Sequence, residues 1–190
     1  ALYCNWLSKN EGYQPFYKQK GKKITGVNYN SHGYRLPTEA EWAWVSRSSA
    51  VKGKSQLRFP WGNKTVVKEY SGNYADESAK ASVSEYIPNY DDGYPGLSSV
   101  GSFEPNTKGI YDLGGNVSEW TNDYYAITFK DQNVELNPTG PTVGVGHVVK
   151  GSSWKTSSLS KLRYSYRDSL IEPNDETGFR VARWLIGKEE

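Results

Sequence analysis

The sequence predicts an α+β domain with little regular secondary structure: two helices, several short antiparallel strands and long ordered loops. Three observations carry this expectation. Helical patterning with end signals occurs at two stretches, about 1–10 and 38–47. The other apolar runs are short and bordered by Gly or Ser, which is how short strands look. Turn formers are plentiful, with 19 Gly and 9 Pro, while aromatic residues reach 14% and include seven Trp and fifteen Tyr. Large rings build a core without much aliphatic content, and 190 residues suffice for one domain with a core.

The first helix follows from Leu2, Trp6 and Leu7 at near-helical spacing in ALYCNWLSKNEG, with Gly12 ending it. Those apolar neighbours predict that Cys4 is buried. The second helix is the clearest in the chain. Thr38-Glu39-Ala40-Glu41 after Pro37 is a capping-box pattern, followed by Trp42, Trp44 and Val45. RFPWGN at 58–63 reads as a strand end and turn. Residues 64–107 are irregular, with strong turn chemistry in NYDDGYPG at 89–96. VGSFEPNTKGIYDLGGNVSEW, HVVKGSSW and TGFRVARWL supply short strands. No repeat or low-complexity linker divides the chain, so one domain over 1–190 is expected. So much loop in one domain calls for something that pins it, such as metal ions or indole stacking.

Composition excludes several classes. The net charge is +2 with no basic block, which gives no footprint for nucleic acid. No apolar run approaches the roughly 20 residues of a membrane span. A single cysteine, Cys4, allows no internal disulfide and no cysteine metal cluster.

The stretch KGIYDLGGNVSEWTNDYY, 108–125, places Gly114, Gly115 and Asn116 just ahead of Glu119 and Trp120. Gly-Gly-Asn tolerates positive φ, so the chain can turn sharply and aim carbonyls at one point, with Glu119 adding a carboxylate. Hard cations such as calcium take six to eight oxygens of this kind. The same residues also read as a plain turn entering a strand, with Trp120 in the core.

GYRLPTEAEWAW, FPWGN, DDGYPG, VGSFEPNTKGIYDLGGNVSEW, VVKGSSW and GFRVAR, in this order, resemble the formylglycine-generating-enzyme family, also called the sulfatase-modifying-factor domain. The resemblance spans nearly the whole chain, from ALYCNWLS to Arg183. It implies a variant of the C-type lectin fold and two structural calcium ions. One calcium set would be Asn73 and Tyr74 with Asp92 and Tyr94. The other would be Gly114, Gly115, Val117 and Glu119. Family domains carry further strands and a helix before the ALYCNWLS segment, so the resemblance also implies that an N-terminal portion is missing.

The enzyme that names the family oxidises a substrate cysteine with two active-site cysteines. They lie in the interval that here reads KTSSLSKLRYSYRDSLIEPNDET, which has none. One position aligns with Thr156 and the other falls near Leu159 or Lys161. Copper capture and redox work need a thiolate, so formylglycine generation is not expected. A second branch of the family binds non-haem iron through three histidines. This chain has His32 and His147 alone, and iron or otherwise uncharacterised oxidoreductase chemistry is the alternative reading. Ser152 and Ser153 lack a nucleophile-elbow pattern. Asp91 and Asp92 could pair as acid and base, but the resemblance makes Asp92 a metal ligand. Arg163, Arg167, Arg180 and Arg183 either grip an anion or form a salt-bridge set with Asp168 and Glu119.

What remains is a surface over 155–177, rich in the Tyr, Ser and Asp of adaptable contact surfaces. Its candidate ligand-binding residues are Trp154, Thr156, Ser158, Lys161, Arg163, Tyr164, Tyr166 and Arg167. The expectation is a non-catalytic, calcium-stabilised domain that binds a protein, a peptide or a small ligand. The resemblance places it outside the cytoplasm of a bacterium, periplasmic or associated with the outer membrane, as in gliding-motility and secretion-associated lipoproteins.

Overall fold

The computed structural model describes residues 1–47, 56–127 and 135–185, and most of them lie outside helices and strands. The described elements are α1 (Leu2–Asn10), β1 (Tyr17–Lys20), β2 (Lys23–Val27), α2 (Glu39–Arg47), β3 (Ser118–Tyr124), β4 (His147–Lys150), β5 (Arg167–Leu170) and β6 (Thr177–Gly178). The α+β class and the two helices are those the sequence predicts; β3, β4 and β6 fall in the predicted strand stretches, whereas β5 lies in the stretch read as a contact surface and residues 100–117 form no strand. Backbone contacts divide the chain into two compact units, Ala1–Pro37 with the stretch from Arg180, and Thr38–Phe179.

In the first unit α1 accompanies the antiparallel β1–β2 hairpin. Its inner face is not the expected Leu2, Trp6 and Leu7. Cys4, Asn5 and Ser8 are buried, whereas Trp6 is 54% exposed and stacks at a tilt on Tyr3. The reason is hydrogen bonding. The Asn5 amide donates to the Tyr17 carbonyl at 2.9 Å and accepts from its N–H at 3.1 Å, which pins the helix to β1. Ser8 donates to the Cys4 carbonyl at 2.7 Å and accepts from Tyr34 N–H at 2.7 Å. A polar face therefore outcompetes the larger rings, because its buried groups are all paired. Cys4 packs with Phe16 and Tyr17, and burial pushes its thiol pKa up, as expected.

The second unit holds a sheet of order β5-β4-β3-β6. The β3–β4 and β4–β5 pairs are antiparallel. The β3–β6 pair is parallel, where only antiparallel strands were expected. Helix α2 begins with the predicted capping box. Thr38 Oγ1 accepts from Glu41 N–H at 3.1 Å, and Glu41 Oε2 accepts from Thr38 N–H at 2.8 Å. Thr38→Ala is expected to cost about 1 kcal/mol, read as a lower urea midpoint at unchanged slope. An unchanged midpoint would show the box to be idle. Trp42, 1% exposed, is the core anchor, against Leu113 and Tyr164. Trp44 turns outward beneath the Lys108 ammonium, 4.0 Å from its ring centroid.

Strand β3 inverts the simple expectation for Trp120. Its buried alternate positions are Glu119, Thr121 and Asp123, and Trp120 is only partly buried. A strand with polar residues inward needs partners for each. Thr121 donates to the Val148 carbonyl at 3.1 Å, and the other two face α2.

Candidate calcium loops and ligand groove

Asn73, Tyr74 and Asp92 come together as the resemblance implies. Asp92 Oδ2 accepts from Tyr74 N–H at 2.9 Å, and its Oδ1 from Tyr94 N–H at 2.8 Å. The Asn73 amide nitrogen donates to the Gly96 carbonyl at 2.8 Å, which lays this side chain over the same 92–96 turn. Its Oδ1, on a residue 1% exposed, has no hydrogen-bond partner. An orphaned buried amide oxygen costs free energy unless something meets it. A second carboxylate, Asp76, is fully buried and accepts from Asp92 N–H. Burial, with the Asp76 charge as a smaller cause, pushes the Asp92 carboxyl up to about 6. Asp92 and the unmet Asn73 oxygen are donors of the kind a hard cation takes, whereas both Asp76 oxygens are filled by N–H groups of Asp92, Ser78 and Ala79. Among the described residues no three His, Cys, Asp or Glu side chains cluster around one point. A cation here would therefore rest on one carboxylate, the amide oxygen and backbone carbonyls. Sequence reasoning missed Asp76, although its place three residues after Asn73 was visible. Asp91, its alternative partner for Asp92, is exposed and caps Gly93 N–H at 2.9 Å.

The 114–119 loop lies directly against this one. Asn116 N–H donates to the Asn73 carbonyl at 2.8 Å. Gly115 has φ +87°, and a Cβ there would sit 2.5 Å from the Asn73 carbonyl oxygen. Protein donors occupy much of the loop. Gly115 N–H donates to Ser152 Oγ at 3.0 Å, the Asn116 carbonyl accepts from Trp154 N–H at 2.9 Å, and Glu119 Oε2 accepts from the Trp42 indole at 2.7 Å. Val117 is half-buried beside Gly178. A calcium ion at Gly114, Gly115, Val117 and Glu119 thus rests on the resemblance alone, while the Asn73–Asp92 loop adds an unmet amide oxygen.

The candidate surface residues separate into two groups. Thr156, Ser158 and Lys161 line a polar groove of about 410 Å³, with Ser82–Glu85 opposite and Glu176 beside them. Thr156 is held firmly, its Oγ1 accepting from Ser153 N–H at 3.0 Å. Ser153 in turn donates to Glu176 Oε2 at 2.6 Å. Trp154 flanks the groove under Lys155, whose ammonium is 4.9 Å from the ring centroid and 2.6 Å from Asp175. The other residues are engaged elsewhere. Tyr164 is 3% exposed and packs edge-on against Trp42. Tyr166 donates to Asp168 at 3.0 Å, and Arg163 donates from Nε to the Ser160 carbonyl at 3.0 Å.

Arg167 belongs to an ion-pair set, though not the expected one. Its Nη2 lies 2.7 Å from Glu39 Oε2, and the buried Lys150, over the Trp42 ring, lies 3.8 Å from the other Glu39 oxygen. Glu39 on α2 thus takes the place foreseen for Asp168 and Glu119, because β4 and β5 present both cations to the start of that helix. Burial lowers the Lys150 pKa to about 8. Arg183 instead lies over Tyr13, 4.8 Å from the ring centroid. His147 stacks on Tyr124 at 4.3 Å, with Nδ1 3.2 Å from the Asn122 carbonyl, and burial lowers its pKa.

Asp123 Oδ2 accepts the Glu39 N–H at 2.7 Å, and burial, then the Glu39 and Glu41 charges, raise its pKa to about 6. The folded value exceeds the unfolded one near 3.9. The native state therefore holds the proton more tightly, and the Asp123 charge costs stability above pH 6 but not below pH 4. Asp123→Asn keeps an acceptor for Glu39. It is expected to gain about 1–2 kcal/mol at pH 7, shrinking as the pH falls from 6 to 4. A loss at pH 7, or a difference flat with pH, would contradict this.

Residues 1–185 match the sulfatase-modifying factor enzyme 1-like domain, and the chain belongs to that family. It is 36% identical to the formylglycine-generating enzyme of Mus musculus over 134 residues, covering 70% of this chain and 33% of that one. It is 32% identical to the formylglycine-generating enzyme of Thermomonospora curvata over 160 residues, covering 79% of this chain and 49% of that one. The chain thus spans between a third and a half of these curated relatives. Treponema denticola variable protein 1 shares the fold, with a TM-score of 0.71 at 24% identity over 95% of this chain and 66% of that one.

Proposed function

We propose that this chain is a binding domain that does not generate formylglycine, stabilised by calcium at the Asn73–Asp92 loop and holding a polar peptide segment in the groove at Thr156. The groove lining carries the reading. Its residues are Ser and Thr hydroxyls, two lysines, two glutamates and Val83, with no thiol. The one cysteine of the chain is buried on α1. Hydroxyls stay protonated near neutral pH and bind copper(I) poorly, whereas cysteine oxidation in this family needs thiolates. The loops either side are long and irregular, which is where calcium is of most use. Extracellular calcium modules bind at about 0.1–1 mM, and a role outside the bacterial cytoplasm fits that range.

Two experiments test the reading. The purified chain with copper and a sulfatase-type cysteine peptide should leave the peptide mass unchanged, and an aldehyde product would refute the non-catalytic assignment. Peptides selected on the immobilised chain in calcium from a random library should lose binding to Thr156→Trp, which fills the groove. They should keep binding to Trp44→Ser, altered at an exposed ring. Equal binding to Thr156→Trp and the unaltered chain would remove the groove from the account.

A further inference from the structure

We infer that cation binding at the Asn73–Asp92 loop sets the shape of the groove, so that calcium and a groove ligand strengthen each other's binding. This rests on the function proposed above and adds a regulatory link between its two sites. The link is visible in the backbone. The groove floor hangs on two bonds, Ala75 N–H to the Thr156 carbonyl at 3.2 Å and Trp154 N–H to the Asn116 carbonyl at 2.9 Å. The facing wall, Ser82–Glu85, hangs on two more, Ser82 N–H to the Ala79 carbonyl and Ile87 N–H to the Ala75 carbonyl, both 2.7 Å. Each anchor belongs to a candidate calcium loop or to the turn that leaves it.

Asp76 joins the two regions. Its Oδ2 takes the Asp92 N–H, while its Oδ1 takes the N–H groups of Ser78 at 3.0 Å and Ala79 at 3.2 Å, fixing the turn that leads into the groove wall. Asn116 closes the other side through its bond to the Asn73 carbonyl. Without a cation, the Asp76 and Asp92 charges oppose each other and Asn73 Oδ1 stays unmet. Opening of 73–92 is then easier, and the same opening releases the three groove anchors within it and frees Asn116, which holds the fourth, from Asn73. A cation that closes the loop holds the groove in its binding shape, and by reciprocity a groove ligand tightens the cation.

Hydrogen exchange by mass spectrometry tests this on the whole chain, with calcium chloride as the probe against EDTA. Calcium should slow exchange about tenfold or more in peptides covering 80–88 and 154–162, as well as in 73–79, and leave α1 little changed. Asp92→Asn should abolish the slowing, and Asp91→Asn should retain it. Protection of 73–79 with 80–88 and 154–162 unchanged would overturn the link and leave the calcium site standing. Equal slowing in α1 would overturn it too, as a global effect. No calcium bound at all would remove the calcium reading together with the link.

Discussion

Gly115→Ala is expected to destabilise the protein by about 3 kcal/mol or more, or about 6–12 °C in melting temperature for a chain of this size. Two costs combine. The position has φ +87°, which an L side chain rarely adopts. The new Cβ would meet the Asn73 carbonyl oxygen at 2.5 Å and the Asn73 nitrogen at 2.8 Å, and both are backbone atoms that cannot rotate away. Relief must separate the two candidate calcium loops, which breaks the Asn116–Asn73 hydrogen bond. The variant should therefore also lose much of its response to calcium. Gly93→Ala is the matched control: φ is +82° but open space surrounds it, so only the backbone cost of about 1 kcal/mol should appear. Equal losses in the two variants would show that the contact with Asn73 is unimportant.

Trp42→Ala is expected to cost about 3–5 kcal/mol, the range for emptying a buried aromatic site. The indole fills the space between Leu113 and Tyr164 and has the buried Lys150 ammonium 5.5 Å from its ring centroid. It also donates the 2.7 Å bond to Glu119, a buried carboxylate on the inner face of β3. Trp42→Phe separates these roles. It keeps most of the ring volume but leaves Glu119 without that donor, and a loss of about 1–3 kcal/mol is expected from the bond. Denaturant unfolding measures both. A Phe variant as stable as the unaltered chain would mean that Glu119 finds another partner at no cost.

What could be read in the sequence depended on whether the signal was local. The capping box at Thr38–Glu41 places both of its bonding residues within one turn, so α2 was legible to the residue. The Asn73–Tyr74 and Asp92–Tyr94 pieces were legible through their resemblance to a family pattern, although eighteen positions separate Tyr74 from its Asp92 partner. Where partners are distant and individually ordinary, the reading failed. Nothing near Arg167 announces Glu39, 128 residues away. Asn5 and Ser8 face inward on α1 because β1 and Tyr34 supply their partners, and helical spacing alone favoured Leu2 and Trp6. Glu119 was expected to serve a metal loop or a salt bridge, and its bond to Trp42 depends on how α2 crosses β3. Tyr164 looked like a surface tyrosine beside Arg163, and only the packing of Trp42 draws it into the core.

The most direct test of the account is metal stoichiometry by native mass spectrometry after exchange into calcium, on the unaltered chain and on Asp92→Asn. The donor set of Asn73, Tyr74, Asp92 and Tyr94 predicts a bound calcium ion in the unaltered chain that Asp92→Asn loses, with a melting temperature that falls in EDTA. A hundredfold excess of calcium over its dissociation constant corresponds to about 2.7 kcal/mol of stabilisation. A chain that binds no calcium and melts identically in EDTA, or one whose bound calcium is indifferent to Asp92, would contradict it.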